Sequence, residues 1–257
     1  MSDIKKAFEN GKAVIPFVTA GDPDLATTEK LLIEMSRNGA DLIEIGIPFS
    51  DPIAEGVEIQ EADIRALAGG TTTDKIFDMV KRVRAEVSCP LAIMTYMNPI
   101  FVYGTDRFMA KCAECGIEAV IVPDVPFEEK AELSEHCDNH GIALISLIAP
   151  TSQDRVRMIA KEAQGFIFCI PATGVTGVKG EIIAGLEETM RVVREVCDTP
   201  CAIGIGNPSV EEAAEAAKAS DGVIIGSRVV SIVAENGKDC VGPVVEYIKS
   251  IKKSVTD

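Results

Sequence analysis

The sequence predicts an α/β fold in which a parallel sheet closes on itself as a (β/α)8 barrel, and three observations carry that prediction. Short strand-like runs alternate strictly with longer stretches of helical period, eight times in all. The chain has 257 residues, 47% of them hydrophobic, which is the size at which eight such units share one core. Pro/Gly-rich segments are short and sit at strand ends, with no linker between them, so residues 1–257 read as one domain.

An N-terminal helix precedes the first unit. Strand 13–18 then presents Phe17 and Thr19 at its C-terminal end, and a helix follows at 24–38. Strand 42–46 is the unusual one. Side chains alternate along a strand, so Ile43, Ile45 and Ile47 share one face while Leu42, Glu44 and Gly46 share the other, which puts an acid where a buried sheet wants Val or Leu. Its loop runs through 50–56 into helices at 57–68 and 74–86. Strand 91–96 ends in Tyr96 and Asn98 before a helix at 105–114, and strand 119–123 ends at Asp124 before one at 127–139. Strand 143–147 leads to a helix at 152–163, and strand 165–169 to a long excursion at 171–180 and a helix at 181–197. The last two strands, 201–205 and 222–226, finish in Gly204-Ile205-Gly206-Asn207 and Gly226-Ser227, with helices at 209–218 and 242–252. Strict alternation at this count implies the TIM-barrel arrangement, helices outside and the site at the C-terminal ends of the strands.

Composition narrows the function. Asp and Glu number 40 against 25 Lys and Arg, a net charge of −15, which argues against nucleic acid or an anionic membrane as partner. No apolar run is long enough to span a bilayer, and the N-terminal MSDIKKAFEN lacks a signal-peptide core, so a cytoplasmic protein is expected. The 8 cysteines are scattered through helices and strands and read as reduced thiols. Cys112 and Cys115 form a CxxC with no second pair at zinc spacing, and HCDNH (136–140) lacks the Glu of a zinc-protease helix, so no metal site is expected.

Glu44 is the first candidate for chemistry, because burial makes the charged form costly and raises the pKa of a group that is usually kept for use. Glu55, in the loop after the same strand, is the second: two acids converging on one ligand can give and take a proton. Gly206, Gly226 and Ser227 let backbone N–H groups approach an anion at a helix N-terminus, a phosphate site without lysine. The plainer readings are a satisfied interior acid for Glu44, a solvated loop acid for Glu55, a turn cap for Asp51, and core packing for Phe17 and Tyr96.

PFVTAGDP (16–23), IEIGIPFSDPIAEG (43–56), NPIFVYG (98–104), IVPDVP (121–126), GVTG (174–177) and IGIGNP (203–208) together resemble the tryptophan synthase α-subunit family, in order and spacing, over essentially the whole chain. The resemblance implies a lyase that splits indole-3-glycerol phosphate by a retro-aldol step into indole and glyceraldehyde 3-phosphate, in tryptophan biosynthesis. It implies Glu44 as the group that protonates indole C3 and Glu55 as the acid that meets the charge at the ring nitrogen. Phe17 and Tyr96 match ring-contacting positions, Thr176 the loop residue that closes on the loop acid, and Gly177, Gly206, Gly226 and Ser227 the phosphate cradle. No metal or organic cofactor is implied for this chain. The implied partner is a pyridoxal-phosphate β subunit in an α2β2 assembly, docking over Asp51, Pro52, Asn98, Pro99 and Pro126. Five positions depart from the family pattern: Glu55 stands where Asp is usual, Val57 where Pro is usual, Phe168 where Tyr is common, and Pro171-Ala172 where Ser-Arg often precedes the lid. A stand-alone lyase and a ligand-binding regulatory partner of the β subunit are the alternatives.

Overall fold

Strands and helices follow one another in the expected order in the computed structural model, which describes residues 3–150, 152–170 and 179–256. The strands are β1 (Ala13–Thr19), β2 (Ile43–Gly46), β3 (Leu91–Met94), β4 (Ala119–Ile121), β5 (Ala143–Leu144), β6 (Ser146–Ile148), β7 (Ile167–Cys169), β8 (Cys201–Ile205) and β9 (Gly222–Ile225). All pairings are parallel, in the order β5-β4-β3-β2-β1-β9-β8-β7-β6. The fifth of the eight expected strands is therefore in two pieces. Its first half pairs with β4 and its second with β7, and Ile145 between them still donates its N–H to Val120 O at 2.9 Å. A strand that must leave one tilted neighbour for the next breaks its ladder where it changes partner, and the ring closes through that break.

Around the strands run α1 (Leu25–Arg37), α2 (Val57–Ala68), α3 (Thr73–Val83), α4 (Met97–Tyr103), α5 (Thr105–Glu114), α6 (Ala131–His140), α7 (Gln153–Lys161), α8 (Lys179–Arg194), α9 (Val210–Lys218), α10 (Ser227–Asn236) and α11 (Val241–Thr256). Local chemistry sets many of their ends. Asp24 accepts the Thr27 N–H at 2.8 Å to start α1, Ser209 and Glu212 form a capping box on α9, and Gly141, at φ 69°, stops α6 in the left-handed region. Helix α4 is not expected from the sequence, which places the next helix after strand 91–96 only at 105–114. Pro is tolerated in a first turn, and the cap comes from elsewhere: Asp124 accepts the Met97 N–H at 3.0 and 3.2 Å.

Two apolar layers result. Ile43 and Ile45 point outward against Leu31, Met79, Phe108 and Ile248, while Leu42 points inward with Ile15, Ala92, Ile121, Ile145 and Phe166. Burying each large side chain contributes roughly 1.5–3 kcal/mol relative to leaving it in water. The N-terminal helix is a 3₁₀ turn, Asp3–Phe8, and its position explains it: Ile4 is fully buried and the Phe8 and Phe166 rings lie 5.7 Å apart, plugging the floor of the barrel. The open end is thus the C-terminal one. Among the described residues no helix is long and apolar enough to cross a membrane.

Candidate active site

Strand β2 sets Glu44 level with Phe17 of β1 and Ala92 of β3, so the acid projects into the barrel between an aromatic ring and a methyl group. It is fully buried, and among the described residues neither carboxylate oxygen has a hydrogen-bond partner. Burial alone pushes its pKa up to about 8. At pH 7 the group is predominantly the neutral acid, ready to give a proton.

Above it opens a cavity of about 270 Å³ at the C-terminal mouth, whose walls include Phe17, Glu44, Glu55, Met94, Leu147, Phe168, Gly206, Gly226 and Ser227. Among the described residues the lining is mostly apolar and includes no Lys or Arg. Two glycines shape it. A methyl group at Gly46 would lie 2.4 Å from Phe17 Cζ, and one at Gly204 would lie 2.7 Å from Phe168 Cε1, so each ring packs against a bare stretch of neighbouring strand. A second cavity, of about 260 Å³, lies alongside under Phe127, but its cations Lys130 and Arg155 are already paired with Glu162 and Glu128.

Glu55 reaches the same cavity from the loop, held by Tyr96. The Tyr96 hydroxyl donates to the Glu55 carboxylate and accepts the backbone N–H groups of Ile53 at 3.0 Å and Ala54 at 2.9 Å. Burial, and then the negative charge of Asp124, pushes the Glu55 pKa up, while the Tyr96 hydrogen bond pulls it down. Tyr96 itself is 3% exposed and is not among the cavity-lining residues. The ring-contacting position implied by resemblance is, in this structure, a clasp behind the loop.

Opposite the acids, Gly206 follows the end of β8 and Gly226 caps α10, whose first residue is Ser227. The Arg228 N–H donates to Gly206 O at 3.1 Å and ties the two strand ends together. A methyl group at Gly206 would come 3.6 Å from Ser227 Oγ, an ordinary contact, which places this residue beside the Ser227 hydroxyl at the start of α10. Thr176 and Gly177, with Pro171 and Ala172, lie outside the described residues.

Of the expected partner-facing residues, Asp51, Asn98 and Pro126 are exposed and Pro52 and Pro99 half-buried. Beside them Ile53, Phe101 and Val102 are 79%, 70% and 77% exposed, an apolar rim on the loop and α4 that Tyr96 joins. Met94 and Leu147 are cavity walls that the sequence does not single out, although each sits at or near a strand end where alternation points inward, and Phe168, marked in the sequence only as a departure from a common Tyr, lines the same cavity as Glu44. Cys112 and Cys115 are buried, His136 and His140 both face Asp106 at 3.4 and 3.0 Å, and among the described residues no three potential ligands gather as a metal site.

The family model described as tryptophan synthase alpha chain matches residues 3–255. The tryptophan synthase alpha chain of Petrotoga mobilis is 41% identical over 256 residues, covering 99% of each chain, and that of Lacticaseibacillus casei is 40% identical over 255 residues, covering 99% of this chain and 96% of its own. Among solved structures, tryptophan synthase subunit alpha from Legionella pneumophila superposes with a TM-score of 0.89 at 32% identity, covering 100% of this chain and 99% of that one. The Campylobacter jejuni subunit gives 0.88 at 32%, covering 98% and 99%.

Proposed function

The chain belongs to the tryptophan synthase alpha chain family, whose reaction in tryptophan biosynthesis is the cleavage of indole-3-glycerol phosphate to indole and glyceraldehyde 3-phosphate, and from that premise we propose how its own residues carry the reaction. Glu44, as the neutral acid, gives its proton to indole C3. Glu55 faces the ring N–H and takes the proton as positive charge develops there, leaving an indolenine. The Glu44 carboxylate then removes the proton of the adjacent side-chain hydroxyl. The carbon–carbon bond breaks, its electrons return to the ring as Glu55 reprotonates the nitrogen, and the hydroxyl carbon leaves as the aldehyde. Protons balance, and both acids end as they began.

Phe17, Phe168, Met94 and Leu147 supply flat apolar walls for the indole ring. Gly206, Gly226 and Ser227 supply main-chain donors for the phosphate, which matters in a chain of net charge −15 where no basic field would draw it in. The observation that carries the reading is Glu44: a fully buried acid without a partner among the described residues, opening onto a cavity that also holds a second acid and a helix N-terminus.

A β subunit is the partner that the family implies. The exposed Ile53, Phe101 and Val102 beside Asp51, Pro52, Asn98, Pro99 and Pro126 support docking there, over the mouth. An α2β2 assembly, with pyridoxal phosphate held by the β subunit, and a cytoplasmic location complete the reading. The test is incubation with indole-3-glycerol phosphate, with and without a β subunit, following indole. Fast release in the mixture is expected. Fast release by the chain alone identifies a stand-alone lyase, and slow release in both a regulatory partner.

A further inference from the structure

On the buried side of α2, between Ala62 and Ala66, stands a carboxylate that the reaction above leaves unused. Asp63 is 5% exposed and accepts a hydrogen bond from the backbone N–H of Phe49, at the start of the loop that carries Glu55. The charges acting on it are both negative: Asp22 from the segment after β1, and Glu55 from the loop. Arg65, two residues along α2, is taken by both oxygens of Asp22 at 2.8 and 2.9 Å. On α10, the helix packed against α2, Arg228 and Glu235 pair with each other at 3.1 Å, and Glu58 and Glu61 of α2 itself are exposed. A face meant only for packing would carry Ala or Leu here, since a buried carboxyl among like charges is costly.

We propose that Asp63 is a positioning residue for the loop acid: it clamps the loop to α2 through the Phe49 N–H and, by keeping its own proton, leaves Glu55 to ionise toward the substrate's ring nitrogen. The inference rests on the reading of Glu55 given above. Burial first, and then the charges of Glu55 and Asp22, push the Asp63 carboxyl up to about 7. While protonated it still offers an oxygen to the Phe49 N–H. Once ionised it adds a second negative charge near Glu55, and repulsion works against the loop's seat on α2.

The test is the pH profile of kcat/KM for cleavage of indole-3-glycerol phosphate by the full chain, between pH 5.5 and 9.5, in Asp63→Asn and Asp63→Ala. Asn keeps an acceptor for Phe49 and cannot ionise. It is expected to move the alkaline limb up by about one pH unit, from the Asp63 value of about 7 to the Glu44 value of about 8. Ala removes the acceptor and is expected to raise KM about tenfold at every pH, an effect that Asn reverses. An Asp63→Asn profile that superimposes on the wild type overturns the inference, and this limb decides alone should Asp63→Ala fail to fold. Glu55→Gln is measured beside them: wild-type turnover there would remove the underlying reading of Glu55, whereas loss of turnover with an unmoved Asp63→Asn limb defeats only the role of Asp63.

Discussion

The Tyr96 hydroxyl donates to the Glu55 carboxylate while it accepts two backbone N–H groups of the same loop, Ile53 and Ala54, so one phenol fixes both the acid and the main chain that carries it. The loop acid is a Glu, longer by a methylene than an Asp would be, and a residue on a different strand end sets where its carboxylate stops.

Tyr96→Phe keeps the ring and its packing on Phe49, whose centroid lies 5.3 Å away, and deletes the three hydrogen bonds. Losing buried bonds to a charged group costs about 1.5–3 kcal/mol, so kcat/KM is expected to fall roughly 10- to 100-fold. Steady-state kinetics on the folded variant checks it. A loss below twofold would mean the clasp is incidental.

Glu44→Gln is nearly isosteric but cannot give a proton. Turnover is expected to drop by several orders of magnitude with KM near normal, because the proton is needed on the way to the transition state and not for binding. Wild-type turnover would take Glu44 out of the mechanism.

The same variant reads out the cost of burial. The Glu44 carboxyl titrates near 8 in the folded chain against an ordinary value of 4.5. Below 4.5 it is protonated folded or unfolded, and its burial as a charge costs nothing. Between the two values the unfolded chain releases a proton that the folded chain keeps, so stability falls as pH rises, and it levels above 8. The melting temperature of Glu44→Gln relative to wild type should therefore climb between pH 5 and pH 8.5, by roughly 5–10 °C for a shift worth on the order of 3–5 kcal/mol. Parallel melting curves across that range would contradict a buried, unpartnered acid.

Gly46→Ala tests the seat under Phe17. The added methyl group would lie 2.4 Å from the ring, and Phe17 is packed by Ile59, Ala62, Met94 and Val230, so the ring must swing toward the cavity. Overpacking of this kind costs about 1–3 kcal/mol of stability, and KM should rise as the indole slot narrows. Adding Phe17→Leu should bring KM part of the way back. If KM is unchanged in Gly46→Ala, the ring does not wall the substrate.

For the anion cradle, Gly206→Leu should weaken binding of glyceraldehyde 3-phosphate at least tenfold, read by calorimetry, since the side chain would enter the space beside Ser227. Unaltered affinity would put the phosphate elsewhere.

Much of this site was legible in residues 42–56 and in the two glycine-ended strands. Alternation along β2 is a property of the strand itself, so the inward direction of Glu44 followed from its being two residues from Leu42. The helix at 57–68 shows an apolar face through Ile59, Ala62 and Ala66, and the same periodicity could have marked Asp63 as buried.

By itself the sequence determined the alternation of elements, the face that Glu44 takes and the glycine ends of the last two strands, because these depend on neighbours along the chain. The tertiary structure alone decided that Tyr96, 41 positions from Glu55, stands behind the loop, that Asp124 caps α4, that the fifth strand breaks at Ile145 and that Ile4 closes the floor. Those outcomes depend on which groups meet across the barrel. Hydrogen bonds and burial are settled by the nearest partner in space, and no local period carries that information.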